Sequence, residues 1–154
     1  MGIADDAVEI RAQGWRTLAA LHGLIDTALE RSLQAEHGLS VVEYTVLDAL
    51  SRQDGWHMRM QQLGRATALS PSATTRLVNR LEDRALLTRV LCQDDRRGIY
   101  TELTKAGQKL LLAARPTHDR ALQDALQDAE QVPELASLVG TLGTVGAVGA
   151  GAAA

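Results

Sequence analysis

Apolar residues in the first third of the chain recur at spacings of three and four: Trp15, Leu18, Leu21, Ile25, Leu29 and Leu33. This is the period of a single helical face, and it predicts one long helix from about Val8 to Glu36, stopped by His37-Gly38. Ser40-x-x-Glu43 then has the spacing of a capping box, opening a second helix that carries Tyr44, Val46, Leu47 and Leu50 to about Arg52. Gln53-Asp54-Gly55 ends it. A short extended piece at Trp56 to Met58 precedes a third helix, about Arg59 to Thr67, marked by Met60, Leu63 and Ala66.

The pattern is sharpest from Ser70 to Arg84. Ser70 can accept from the open amides of a first turn, and Pro71 suits the first helical position because its missing N–H has no intrahelical partner there. At about 100° per residue, Ser72, Thr75, Arg76, Asn79, Arg80 and Asp83 share one side, and Thr74, Leu77, Val78, Leu81 and Ala85 the other. A short helix, a tight link and a second helix with a polar face predict a helix-turn-helix. The period then changes. Leu86 to Cys92 and Ile99 to Leu103 are rich in β-branched and aliphatic residues and flank the polar turn Gln93 to Gly98, so they predict a β-hairpin with arginines at its tip.

Thr104 caps a further helix whose leucine run, Leu110 to Leu112, is wider than one face. Pro116 is expected to kink or interrupt it. Ala121 to Ala129 continues with Leu122 and Leu126, and Pro133-Glu134 opens a last helix through Leu135, Leu138, Val139 and Leu142. The Gly/Ala-rich end is expected to fray.

Composition changes this picture in two places. The 154 residues are 45% apolar, sufficient for one domain with a core or a small domain with helical arms, and no apolar run approaches membrane-spanning length. With an acidic first segment, MGIADDAVEI, a cytoplasmic protein without a membrane partner is expected. The net charge of −3 is unevenly spread. Residues 52–105 hold ten Lys/Arg against six Asp/Glu (+4), and the remainder holds six against thirteen (−7). The basic excess surrounds the predicted helix-turn-helix and hairpin, as an electrostatic footprint for nucleic acid would.

The candidate chemistry is therefore recognition rather than catalysis. Hydroxyl, amide and guanidinium groups pair with base edges and phosphates in a major groove, and a hairpin-tip guanidinium can enter the adjacent minor groove. Ser72, Thr75, Arg76 and Asn79 are the expected base readers, Ser70 and Arg80 the phosphate contacts, and Arg97, beside Arg96, the minor-groove contact. Catalytic motifs are absent, no enzyme activity is expected, and no cofactor is implied. The single cysteine, Cys92, excludes an internal disulfide and a multi-cysteine metal site. His22, His37, His57 and His118 are too scattered for a helical ligand pair, which leaves only a meeting in space of Glu30, Glu36, His37 and His118; no metal site is assigned.

Five pieces in order carry a family resemblance: Leu39-Ser40-x-x-Glu43-Tyr44-x-Val46-Leu47; Leu63; Thr75-Arg76-Leu77-Val78-Asn79-Arg80-Leu81-Glu82; Asp95-Arg96-Arg97; and Leu103-Thr104-Lys105-Ala106-Gly107. Together they resemble the MarR (multiple antibiotic resistance regulator) family of winged-helix transcription factors. The resemblance implies a mainly α fold with a small β-hairpin wing, a winged helix-turn-helix joined to a helical dimerisation region. It places the dimerisation helices at 1–38 and 105–147, the DNA-binding domain at 39–104, and a flexible tail at 148–154.

The same resemblance implies a homodimer on double-stranded DNA with a pseudo-palindromic operator, repression as the default, and Asp95 holding the wing arginine. It also implies a small-molecule effector, an anionic aromatic ligand for which Trp15, Arg16, His22 and Tyr44 are the candidate contacts. The chain departs from the pattern at Ala85, where many relatives carry Gly, and in lacking a cysteine in its first helix. The competing reading is a winged helix that meets another protein across the Ser72 to Asp83 face, without sequence-specific DNA binding.

Overall fold

Three of the helices, those ending before Gly38, Ala68 and Ala85, close on a left-handed residue. The computed structural model describes residues 3–91 and 98–151, with side chains from residue 6 and not at 150. In order, the elements are α1 (Ile3–His37), α2 (Val41–Ser51), a single 3₁₀ turn (Asp54–Trp56), β1 (His57–Arg59), α3 (Met60–Ala66) and α4 (Pro71–Asp83). They are followed by β2 (Leu87–Leu91), β3 (Ile99–Leu103), α5 (Lys105–Glu130) and α6 (Pro133–Gly151).

After α1, Gly38 takes φ +62° and the Leu39 amide reaches back to Leu33 O at 3.3 Å. After α3, Ala68 takes φ +56°, with Ala68 N to Arg65 O at 3.3 Å and Leu69 N to Gly64 O at 2.9 Å. After α4, Ala85 takes φ +58°, with Ala85 N to Glu82 O at 2.8 Å and Leu86 N to Leu81 O at 2.9 Å. The last two are Schellman closures, which satisfy carbonyls the helix leaves open but require a left-handed residue. Glycine adopts that conformation without strain; alanine does not. Ala85→Gly is therefore expected to raise the unfolding free energy by about 0.5–1 kcal/mol, read as a higher denaturant midpoint with unchanged m-value. No change or a loss would show that the left-handed turn carries no strain.

The chain divides into two compact units, Ser32–His118 and Met1–Arg31 with Asp119–Ala154. In the first, Leu33, Leu39, Leu47 and Leu50 pack with Leu63, Leu77, Leu81, Leu87, Leu103 and Leu111 in one core. In the second, Leu21, Ala129, Leu135 and Val139 form a smaller one. Here Val8, Ile10, Trp15 and Leu18 on α1 and Leu142, Val145 and Val148 on α6 are exposed. Among the described residues no helix is long and apolar enough to cross a membrane.

The structure adds to or changes three sequence expectations. β2 and β3 form the expected antiparallel hairpin, and β1 also pairs antiparallel with β3, giving a three-stranded sheet in the order β1-β3-β2. The short extended piece thus covers the second edge of β3, which would otherwise present unpaired amides and carbonyls. Pro116 does not interrupt α5, which runs through it from Lys105 to Glu130. The carbonyl that loses its donor is that of Leu112, a residue 56% exposed, where water can replace the missing N–H. Finally, α6 continues through Gly151, so residues 148–151 of the expected tail are helical, although Val145 and Val148 are exposed.

Candidate nucleic-acid interface

The helix-turn-helix is held by close approach at its corner. Leu63 on α3 is fully buried against Leu77, Val78 and Leu81 of α4 in the core of this unit. A Cβ at Gly64 would lie 3.0 Å from Thr74 Oγ1 and 3.4 Å from Leu69 O, so a glycine lets the two helices meet. Thr74 is buried, its hydroxyl donating to Ser70 O at 2.9 Å.

These contacts fix which side of α4 faces out. Ser70 Oγ accepts from Ala73 N at 3.2 Å, and Pro71 occupies the first turn, so the helix starts where its cap residues predict. Thr74, Leu77, Val78 and Leu81 are buried, while Ser70, Ser72, Thr75, Arg76, Asn79 and Arg80 are all exposed. Ala85, grouped with the apolar side by periodicity, instead lies past the helix end and is exposed. The Ser70 and Ser72 hydroxyls lie 3.4 Å apart at the helix N-terminus, and Thr75 Oγ1 donates to Pro71 O at 3.0 Å, leaving its lone pairs to accept. Beside this end, a groove of about 610 Å³ is lined by Met60, Gln61, Arg65, Leu69, Pro71 and Thr75.

Arginines divide into tied and free. Arg84 Nη1 donates to Glu43 Oε2 at 2.9 Å; that oxygen also accepts from Ser40 N at 3.0 Å, while Ser40 Oγ accepts from Glu43 N at 3.1 Å. The capping box of α2 is thereby joined to the end of α4, with Glu43 only 8% exposed. Arg52 pairs with Asp48 at 2.8 Å, and Arg115 reaches Asp48 at 3.3 Å and Ser51 Oγ at 2.6 Å. Arg89 on β2 donates to Glu82 Oε2 at 2.8 Å and to Asn79 Oδ1. By contrast, Arg65, Arg76 and Arg80 are exposed and make no ion pair or side-chain hydrogen bond among the described residues. Two uncommitted guanidinium groups thus lie in the exposed polar stripe and a third, that of Arg65, lines the groove beside it.

Sequence reasoning missed Arg65 and the Arg89 clamp. Arg89 lies two residues beyond the buried Leu87 in an alternating strand, a position that points inward toward α4, and an inward arginine demands an acceptor. The expected wing-tip contacts, Asp95, Arg96 and Arg97, and also Cys92, lie outside the described residues.

The candidate effector contacts fall in different units. Trp15, 67% exposed, and His22, also exposed, lie with Arg16 in the second unit. Arg16 Nη2 donates to Glu9 Oε1 at 2.6 Å and to Gln13 Oε1 at 2.9 Å, and lines a hollow of about 400 Å³ with Thr17, Val132, Glu134 and Leu135. Tyr44 belongs to the first unit, 5% exposed, its ring stacked on His118 at 4.3 Å. Of the residues considered for a metal, Glu36 and His37 both bond Thr117. Thr117 Oγ1 donates to Glu36 Oε2 at 2.7 Å and accepts from His37 Nε2 at 2.8 Å. Among the described residues no group of three or more His, Cys, Asp or Glu is placed to hold a metal ion.

Comparison with known proteins gives this arrangement a lineage. Residues 37–98 match the model of the MarR family. AbsC of Streptomyces coelicolor, a MarR family transcriptional regulator, is 30% identical, with 90% of this chain and 93% of AbsC covered at a TM-score of 0.72. Sco3205 from the same organism, solved in complex with DNA, is 27% identical over 97% of this chain and 89% of its own, also at 0.72. The transcriptional regulator MhqR of Bacillus subtilis is 28% identical over 110 residues, 68% of this chain and 74% of MhqR. Because it is 30% identical to AbsC over 90% of its own length, the chain belongs to the MarR family of transcriptional regulators.

Proposed function

We propose that the protein binds a pseudo-palindromic operator as a homodimer, represses from it, and is released by a small anionic aromatic ligand. The observation that carries the DNA reading is the exposed stripe of α4, Ser70 to Arg80, which includes the uncommitted Arg76 and Arg80 and shares a groove with the uncommitted Arg65 of α3. α4 enters the major groove with its capped end at the phosphates; Ser72, Thr75, Arg76 and Asn79 read bases and Ser70 and Arg80 hold the backbone. Sco3205, which is similar over most of its length, has been solved on DNA. Arg97 is the residue assigned to the minor groove, with Asp95 and Arg96 beside it in sequence; all three lie outside the described residues.

Dimerisation is supported by the apolar residues left exposed on α1 and α6, which suit a self-complementary face. Effector binding draws on Arg16 as the carboxylate partner with Trp15 and His22 exposed on the same helix. A ligand releases DNA only if it binds one of two protein states better than the other.

Anisotropy titration of a duplex from upstream of the protein's own gene tests the reading. Affinity is expected to fall about 10³-fold between about 50 and 200 mM salt, as for about six phosphate contacts shared by two subunits. A flat salt response would sink DNA binding. In the same assay, Arg16→Ala is expected to leave operator affinity unchanged and abolish release by aromatic carboxylates. Unaltered release would remove Arg16 from the effector site.

A further inference from the structure

Arg89 donates to the Asn79 carbonyl from β2. Resting on the reading of α4 as the groove helix, we propose that the Arg89–Glu82 clamp fixes the Asn79 amide as a hydrogen-bond donor, so that this residue selects guanine rather than adenine.

The chemistry follows from one asymmetry. A guanidinium has only donors, so the atom of Asn79 that faces Arg89 Nη2 is the carbonyl oxygen, not the amide nitrogen. Arg89 cannot swing away without losing its second partner, since Nη1 is bound to Glu82 Oε2 at 2.8 Å. Glu82 and Asn79 are three residues apart on α4, and Arg89 bridges them from β2, so the strand and one turn of the helix hold the amide from behind. The exposed end of Asn79 is therefore its NH₂ group, which has no partner among the described residues.

An asparagine reads adenine by accepting from N6 with its oxygen while donating to N7 with its nitrogen. Presenting both atoms to one base edge would require the Asn79 amide to turn out of its bond with Arg89. Guanine offers two acceptors, N7 and O6, and needs only donors. A clamped amide presents donors that match guanine and turns its oxygen, the acceptor adenine requires, toward Arg89.

Selection from a randomised duplex pool by the full-length protein tests this. The base read by residue 79 is the one whose preference disappears in Asn79→Ala. At that base the wild type is expected to enrich guanine over adenine. Arg89→Met keeps the aliphatic stem and frees the amide, so it is expected to shift the ratio toward adenine by about tenfold. Asn79→Asp retains the Arg89 pair, and therefore the fold, but presents a carboxylate; it is expected to exchange guanine for cytosine, whose N4 donates. The proposal is overturned if the wild type prefers adenine there, if Arg89→Met leaves the ratio unchanged, if Asn79→Asp still selects guanine, or if Asn79→Ala alters no position. Retention of no sequence by the wild type would instead refute the DNA-binding reading on which it stands.

Discussion

Gly107→Ala is expected to lower the unfolding free energy by about 3 kcal/mol, at the upper end of overpacking effects, with the loss read from denaturant titration. A Cβ there would lie 2.0 Å from Leu86 O, 3.0 Å from Leu86 C and 3.2 Å from Leu103 Cδ2. The first two atoms are backbone and cannot rotate aside. Leu86 is also held from both ends: its N–H closes the turn after α4 on Leu81 O at 2.9 Å, and its carbonyl accepts from Thr104 N at 3.2 Å. Thr104 Oγ1 adds a second tie, donating to Ala85 O at 2.7 Å while accepting from Gly107 N at 3.0 Å. Relief of the clash must therefore move the end of α4 or the start of α5. A loss below about 0.5 kcal/mol would show that α5 can withdraw freely, and that this packing is looser than the contact implies.

Arg76→Ala and Arg80→Ala should both weaken operator binding, and differ in kind. Arg76, among the expected base readers, costs about 1–3 kcal/mol on the preferred site and relaxes selection at one base pair. Arg80, toward the phosphates, weakens every duplex alike and lowers the slope of log K against log salt by about one. Neither side chain has an internal partner among the described residues, so neither substitution abandons a buried acceptor, and melting temperatures should stay within the range of surface changes. Equal, sequence-independent losses from both variants would make α4 a purely electrostatic contact. Binding by either variant at wild-type strength would take that residue out of the interface.

Much of the fold was legible because local signals agreed with the final packing. Ser40-x-x-Glu43 closed as a capping box, Ser70-Pro71 began α4, and the apolar side of α4 is the buried side. Where sequence reasoning failed, the deciding partner was remote. β1 is three residues long and acquires its meaning from register with β3, His57 opposite Glu102 and Arg59 opposite Tyr100. Pro116 reads locally as a break, yet an exposed turn tolerates the missing bond. Ala68 gives no sign of its left-handed conformation, since the residue type argues against it. The charge count around the helix-turn-helix was informative in sign but not in distribution: Arg52, Arg84 and Arg89 neutralise nearby acids, and only geometry separates them from Arg65, Arg76 and Arg80.

The two left-handed alanines give evolution an easy route to a hardier protein. An alanine codon becomes a glycine codon through one nucleotide, and Ala68 and Ala85 are both exposed, so neither change would open a void. Their turns have separate hydrogen-bond partners, so the gains should add. Mutational drift in a warm-growing lineage, or a heat-challenge library, should recover glycine at 68 and 85 ahead of any replacement in the leucine core.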